Sequence, residues 1–240
     1  MDTGKLRPDT RRLWERLDGA PLLCGFVLIG GTALALRIGH RVSEDLDFAY
    51  LGERLPGQRL KQLGESLRKK GFHFELNQDV LAEQEFIDSG LQLEDHQQNY
   101  LADGALKVSF IRFDNATTQV LSGDSRAPLR VATLDEIFKT KALVCRERSK
   151  TRDWFDLYIL MTRHGYAMTD FYRAYEEAGC GRSFDTATLR LRSCAPSITD
   201  EGYLHLLDDA PTLEEMRTFF NQALDDFEIE MSRTAFKAKG

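Results

Sequence analysis

The periodicity of apolar and polar residues along the chain changes near residue 130. In the first portion, apolar or alternating runs of strand length stand between stretches with helical spacing. The predicted strands are Leu22–Ile29, Asp45–Tyr50, Phe72–Leu76, Asn99–Ala102, Leu106–Phe113 and Arg130–Ala132. In the second portion only helical spacing remains. The pattern therefore predicts an α/β portion in residues 1–130 and a mainly α-helical portion in residues 131–240.

Local sequence signals mark a turn between strands and the starts and ends of the predicted helices. Asp103-Gly104 predicts a hairpin turn between two strands, and Thr133 with Glu136 forms a capping box at a helix start. The stretch Asp79–Glu94 has no dominant period and receives no assignment. The predicted helices are 8–19, Thr32–Ile38, Gln58–Lys70, Thr133–Arg146, Trp154–Arg163, Asp170–Ala178, Asp185–Arg192 and Thr212–Phe227.

Composition describes an ordinary globular chain. Its 240 residues are 42% hydrophobic and 29% charged, and no apolar run approaches the roughly 20 residues of a membrane helix. The first twelve residues lack an apolar signal-peptide core, so we expect a cytoplasmic protein without membrane contact. Four scattered cysteines with no CxxC pair argue against a zinc site or a disulfide framework.

Charge is distributed unevenly. The formal net charge of −6 argues against binding of nucleic acid by the whole surface. Residues 139–152, however, contain six basic residues and one acidic residue. This basic stretch is either a contact for a polyanion or a solvated helix face followed by a basic loop.

Gly30-Gly31 lies between a predicted strand and a predicted helix. Backbone N–H groups at such a helix start favour a phosphate, and a glycine permits close approach of the ligand to the backbone. The alternative is an ordinary tight turn without a ligand.

Asp45 and Asp47 alternate with Leu46 and Phe48. Residues two apart on a strand point to the same face, so the two carboxylates converge while the apolar side chains face the core. Adjacent carboxylates repel unless a cation lies between them, and Mg²⁺ prefers oxygen ligands. The alternative is a strand face with two solvated acids.

The order of these features resembles the DNA polymerase β-like nucleotidyltransferase superfamily. A strand, Gly-Gly, a short helix, thirteen intervening residues and an Asp-apolar-Asp-apolar run occur in that order. The sequences GGTALAL at 30–36, GHR at 39–41 and SEDLDF at 43–48 are similar to the AbiEii/AbiGii-type toxin family. The downstream runs KTKALVCR at 139–146 and RDWFDL at 152–157 fit two further motifs of that family.

The resemblance implies a fold and a chemistry. It implies an α+β fold with a nucleotidyltransferase-type mixed β-sheet and flanking helices, followed by a helical portion that completes the active site. The cofactor would be Mg²⁺, with two ions expected and Mn²⁺ as the alternative. The substrate would be an NTP, and a cognate antitoxin would come from a neighbouring gene.

The resemblance also implies residue roles. The metal ligands would be Asp45 and Asp47. The two downstream motifs would supply further catalytic residues, Lys139 to neutralise the triphosphate and Asp153 or Asp156 as the conserved acid. Either of those acids could act on the substrate or only hold Arg152 in place. Contacts to the nucleotide would come from Gly30, Gly31, Thr32, Arg41, Ser43, Lys141 and Arg152, with Lys141 as the rival of Lys139 for the triphosphate.

One feature departs from the superfamily pattern. Many members place a third carboxylate on a later strand, where this chain has Lys107 and Ser109. Either Glu75 or Asp114 substitutes, or the site works with two acids.

Three functions follow from these features. The first is a Mg²⁺-dependent toxin that transfers a nucleotide to RNA, with tRNA as the named candidate. The second is a transferase acting on a small molecule or a protein. The third is a nucleotide-binding module that has lost catalysis, which the missing third acid motivates.

Overall fold

The structure of the protein is a computed structural model that describes residues 3–77, 80–196 and 210–237. The strands are β1 (Phe26–Ile29), β2 (Leu46–Tyr50), β3 (Phe74–Leu76), β4 (Gln97–Ala102), β5 (Leu106–Ile111) and β6 (Arg130–Val131). The helices are α1 (Pro8–Leu17), α2 (Gly30–Ile38), α3 (Gly57–Lys69), α4 (Val80–Asp88), α5 (Leu93–His96), α6 (Asn115–Gln119), α7 (Leu134–Val144), α8 (Thr151–Arg163), α9 (Met168–Glu177), α10 (Phe184–Ser193) and α11 (Leu213–Lys237). None of the helices in the described part of the chain is both long and apolar enough to cross a membrane.

The chain divides into two compact units inside α7. The first unit ends at Ile137 and the second begins at Phe138, a few residues beyond the predicted change of pattern near residue 130. The predicted α+β fold with a mixed sheet and flanking helices is confirmed.

The first unit is built on a six-stranded mixed sheet in the order β3-β4-β5-β2-β1-β6. β1 pairs with β2 antiparallel, and β2 pairs with β5 in parallel. All four residues of β1 are buried, which explains its uninterrupted apolar run. In β2, Leu46 and Phe48 are buried while Asp47 between them is half-buried. Phe48 stacks on Phe110 of β5 at 5.3 Å between ring centroids, so the core lies directly beneath the acidic strand.

The structure differs from the predicted elements at several places, of which three are described below. The predicted strand Leu22–Ile29 is shortened to β1, because Gly25 has φ +79° and a 3₁₀ turn covers Pro21–Leu23. The stretch without assignment contains α4 and α5, and Asp79, where it begins, lies outside the described residues. The last helix continues ten residues past Phe227, all of them exposed, because strong helix formers extend it without any burial.

The second unit is helical and packs around α8. Nine of the thirteen α8 residues are buried, including Trp154 and Phe155. Arg192 of α10 donates to Asp225 at 2.7 Å and to Glu228 at 2.8 Å on α11, which joins these two helices at the surface. All five predicted helices of this portion are present, with shifts of up to three residues at their ends except for the extended C-terminal end of α11.

The capping box at the start of α7 is confirmed and is larger than predicted. Glu136 accepts from the backbone N–H of Thr133 at 2.8 Å, and Glu136 N donates to Thr133 Oγ1 at 3.2 Å. Ser122 and both terminal nitrogens of Arg130 also donate to the Glu136 carboxylate, at 2.6–2.7 Å. Burial alone would raise the pKa of Glu136, but the hydrogen bonds from Arg130, Ser122 and Thr133 outweigh it and lower the pKa to about 2.

This cap predicts a pH-dependent stability. A carboxyl whose folded-state pKa is depressed stabilises the fold above its unfolded pKa, and that stability is lost as the pH falls from about 5 towards 2. Glu136→Gln should lower the free energy of unfolding at pH 7 by about 1–3 kcal/mol, and the difference from wild type should shrink near pH 3. Urea unfolding at both pH values measures this. Glu147→Gln, whose side chain is 59% exposed, is the control; a difference that persisted unchanged at pH 3 would contradict the assignment.

Candidate functional site

The glycine turn, Gly30-Gly31, forms the first residues of α2 directly after β1. Gly30 has φ +71°, a conformation that side chains rarely adopt. A Cβ placed on Gly30 would lie 2.9 Å from Asp47 Oδ2. Glycine is therefore required here both by the backbone and by a carboxylate that lies against it.

Arg41 lies against the second residue of the turn. A Cβ on Gly31 would fall inside the Arg41 guanidinium, so this cation packs directly on the start of α2. Arg41 is only 4% exposed, and its Nη1 donates to the backbone oxygen of Val42 at 3.1 Å. The structure thus brings together a helix start, which favours anions, and a fixed positive charge, as a phosphate site requires.

The two acids flank the start of β2. Asp47 pairs with Ile29 of β1 on one side and with Ser109 of β5 on the other. Asp45 stands just before the strand, which begins at Leu46 and not at Asp45 as predicted. Both carboxylates are half-buried. Because Ile29 immediately precedes Gly30, the strand pairing itself sets Asp47 beside the glycine turn.

Neither predicted substitute supplies a third carboxylate. Ser109 occupies the position beside Asp47 where an acid would stand. Glu75 lies on β3, the edge strand beyond β4 and β5, and pairs with His73 at 3.0 Å. Asp114 caps α6 by accepting from Thr117 N at 2.7 Å. Within residues 3–77, 80–196 and 210–237, no cluster of three or more His, Cys, Asp or Glu side chains is suited to a metal.

Thr32 and Ser43 connect α2 to the loop that carries Asp45. Thr32 Oγ1 lies 2.8 Å from Ser43 Oγ and donates to the backbone oxygen of Asp45. Thr32 is 2% exposed and Ser43 5% exposed. The predicted nucleotide contacts Thr32 and Ser43 therefore bond to each other, and Thr32 also bonds to the backbone of a predicted metal ligand.

The second unit contains a buried ionic cluster, which we define as Lys141, Arg148, Asp153 and Asp156. Lys141 Nζ lies 2.6 Å from Asp153 Oδ1 and 2.8 Å from Asp156 Oδ2. Arg148 Nε donates to Asp153 Oδ2 at 2.8 Å. Burial raises the pKa of Asp153, but the charges of Lys141 and Arg148 outweigh it and hold the pKa below its usual range.

Lys139 and Lys141 face different partners. Residues two apart on a helix are separated by roughly 200° around its axis. Lys139 Nζ lies 2.7 Å from Glu177 Oε2 at the end of α9, and the two side chains are 20% and 45% exposed. Lys141 is 7% exposed and is held by two acids. The geometry thus separates the two rival lysines, one held in the core and one near the surface.

Sequence reasoning missed the partner of Asp153. The prediction named Arg152, which is adjacent on α8 and half-buried, as a residue that Asp153 or Asp156 could hold, and it did not include Arg148, whose Nε donates to Asp153. Arg148 precedes α8, and the turn before the helix brings it back onto the first helical residues. The basic stretch contains Arg148, so the sequence offered a candidate partner. Its pattern did not predict the turn that brings Arg148 to Asp153. A solvated face also describes the stretch poorly, because Lys141 within it is buried.

The cluster predicts a difference in stability between the two lysines. Lys141→Met leaves two buried carboxylates without their shared cation and should lower the free energy of unfolding by about 3–5 kcal/mol. Lys139→Met, the matched control on the same helix, should cost less than about 1 kcal/mol because its ion pair is partly exposed. Urea unfolding of both variants measures the difference. Equal losses in the free energy of unfolding would contradict a special contribution of the buried cluster to the stability of this unit.

Comparison with known proteins supports the fold and identifies the family. A protein of Aquifex aeolicus (strain VF5), described as uncharacterized protein aq_aa25, is 25% identical over 224 residues, covering 93% of this chain and 98% of that protein. The crystal structure of JHP933 from Helicobacter pylori shares the fold, with a TM-score of 0.53 and 20% identity over 97% of each chain. Residues 12–238 match the family described as nucleotidyl transferase AbiEii toxin of type IV toxin–antitoxin systems. That match spans nearly the whole chain and confirms the resemblance drawn from the motifs: the protein belongs to the AbiEii family of toxin nucleotidyltransferases.

Proposed function

We propose that this nucleotidyltransferase transfers a nucleotide from an NTP to an RNA acceptor, tRNA being the first candidate, and releases pyrophosphate. The observation that carries the proposal is the Asp47 carboxylate, which lies so close to Gly30 that a Cβ there would meet Asp47 Oδ2 at 2.9 Å. It supports a metal-binding acid beside a helix start that favours phosphate. Family membership supports a toxin as the biological role and an antitoxin as its partner.

The acidic pair fits Mg²⁺, with Mn²⁺ as the alternative. Mg²⁺ is commonly bound by one or two carboxylates together with substrate phosphates, so two acids are a sufficient donor set when an NTP is present. Asp45 and Asp47 would hold the ion or ions. A bound divalent ion would supply activation of the attacking hydroxyl and neutralisation of the leaving pyrophosphate.

The chain's own groups account for nucleotide binding. The backbone N–H groups of Gly31 and Thr32 stand at the positive end of the α2 dipole, and the Arg41 guanidinium adds a full charge there. Arg41 is buried, so its position does not depend on the ligand. These groups orient the triphosphate and stabilise its negative charge.

The two lysines take different roles in this proposal. Lys139 keeps the predicted role of neutralising the triphosphate, since its partner Glu177 is an exposed acid that a phosphate can replace. Lys141 binds Asp153 and Asp156 instead, so we assign these three to building the helical unit. Asp156 is fully buried, which supports a structural role for its carboxylate.

An RNA acceptor is supported by the outer part of the basic stretch. Lys150 is exposed, and the Arg148 side chain is 47% exposed although it contacts Asp153. Cations of this kind bind the RNA backbone and make binding weaker as salt rises. A cationic small-molecule acceptor would instead favour an acidic surface.

A second candidate function is a nucleotide-binding module without transfer. The observation that favours it is Ser109, an uncharged residue that lies beside Asp47 on β5, where the superfamily resemblance led us to expect a third carboxylate. Such a module would bind NTP through the glycine turn and transfer nothing.

Transfer by the acidic pair is tested with purified protein, Mg²⁺, each α-³²P-labelled NTP in turn and total tRNA. Label should enter RNA with one NTP preferred, and Asp45→Asn/Asp47→Asn should lower the rate by at least about 100-fold. Glu75→Gln, which removes the exposed acid on β3, should leave the rate within about twofold of wild type. Label on protein would change the acceptor and keep the chemistry. Bound nucleotide with no transfer to any acceptor would establish the binding module.

Lys139 is tested separately from the fold. Lys139→Met should lower transfer by about tenfold or more, because a charge on phosphate is lost, while urea unfolding changes little. Glu177→Gln is the matched control, since it removes the same ion pair and leaves the ammonium in place. It should transfer at least as fast as wild type. If both variants lost the same activity, the ion pair and not the phosphate contact would explain Lys139.

A further inference from the structure

The hydroxyls of Thr32 and Ser43 form a short buried chain that ends on the backbone of Asp45. Thr32 Oγ1 lies 2.8 Å from Ser43 Oγ and also contacts the Asp45 carbonyl oxygen. Both side chains are almost completely buried. Their surroundings therefore fix both hydroxyls, and water does not compete for them.

Counting hydrogens sets the direction of this chain. A carbonyl oxygen only accepts, so the contact with Asp45 requires the single hydroxyl hydrogen of Thr32. Ser43 must then be the donor to Thr32 Oγ1. The hydroxyl of Thr32 has no second hydrogen to give to a phosphate while this chain is intact. Its predicted contact with the nucleotide is therefore left to its backbone N–H.

The loop before Asp45 is also held from its other side. Ser43 N donates to the backbone oxygen of Lys5 at 3.2 Å, and Leu6 forms an isolated parallel bridge with Ser43. Thr10 Oγ1 donates to the backbone oxygen of Glu44 at 2.8 Å. Residues 43–45 are thus fixed between the N-terminal segment and α2, although they have no regular structure of their own.

We propose that Thr32 and Ser43 are positioning residues that hold Asp45 for the metal and connect it to the phosphate-binding start of α2. Thr32 stands in the first turn of α2, two positions after Gly30, so the hydroxyl chain joins the phosphate site to the metal ligand through one helical turn. Holding a ligand in place before the metal binds removes an ordering cost from binding. The proposal rests on the proposed function, which makes Asp45 a ligand of the divalent ion.

The test is a Mn²⁺ titration in which free Mn²⁺ is followed by EPR, joined to steady-state kinetics with NTP and tRNA. Thr32→Val removes the hydroxyl at nearly constant volume and should raise the Kd for Mn²⁺ by about fivefold or more, with kcat lowered and KM for NTP within about twofold of wild type. Thr32→Ser keeps the hydroxyl and should stay within about twofold of wild type in all three quantities. Ser43→Ala should resemble Thr32→Val, and the double variant should be no worse than either single one, since both break one chain.

Thr117→Val is the matched control for folding. Thr117 is a buried threonine of the same unit, outside the glycine turn and the acidic pair, so its loss should leave Mn²⁺ binding unchanged even where the urea midpoint falls. A raised KM for NTP with unchanged Mn²⁺ affinity in Thr32→Val would make the hydroxyl a phosphate ligand and overturn the proposal. Additive effects of Thr32→Val and Ser43→Ala on Mn²⁺ affinity would show that the two hydroxyls act independently, and this would contradict one hydrogen-bonded chain from Ser43 through Thr32 to Asp45.

The outcomes also separate this proposal from the proposed function. Wild-type protein that binds Mn²⁺ and transfers nucleotide, together with a Thr32→Val variant that matches it, would refute the positioning role alone. Wild-type protein that binds no Mn²⁺ and transfers nothing would refute both, because Asp45 would then have no metal to hold.

Discussion

The antiparallel pairing of β1 with β2 is the constraint on which the site depends. This register sets Ile29 opposite Asp47, and the residue after Ile29 is Gly30. The carboxylate of Asp47 therefore approaches the Gly30 backbone so closely that no side chain fits between them. A slip of one residue would turn Asp47 into the core and Phe48 out of it. The buried stack of Phe48 on Phe110 and the acidic face of β2 thus fix the same register from opposite sides of the sheet.

A different kind of constraint organises the second unit. Lys141, Asp153 and Asp156 bury one positive and two negative groups, and Arg148 adds a second positive charge at the rim. Such clusters add little net stability compared with well-packed apolar residues, but loss of one member is costly because it leaves a buried charge unpaired. The cluster joins α7 to α8 and specifies how their faces meet. The run KTKALVCR supplies the lysine of this cluster, and the run RDWFDL supplies both of its acids.

Much of the fold could be predicted from periodicity, whereas contacts made by residues in turns could not. The strands and helices were predictable wherever one face is buried, as in β2 and α8. The division of roles between Lys139 and Lys141 was not, because both lie in one motif and only the helix geometry separates their partners. Arg148 was missed as the partner of Asp153, since the turn before α8 brings it there and no local pattern encodes that turn. The shortened β1 was missed for a related reason, because Gly25 carries a positive φ inside an apolar run.

In the motif around the glycine turn, the backbone and the side chains have different functions. The backbone of Gly30 and Gly31 admits a carboxylate on one side and a guanidinium on the other, which only residues without a Cβ allow. The side chains of Thr32 and Ser43 then hold the loop that carries Asp45. Ser109 lies beside Asp47 on β5, so the proposed metal site draws its carboxylates from Asp45 and Asp47. A site that uses few ligands requires each to be held in position, and this is why we assign the buried hydroxyls of Thr32 and Ser43 a positioning role.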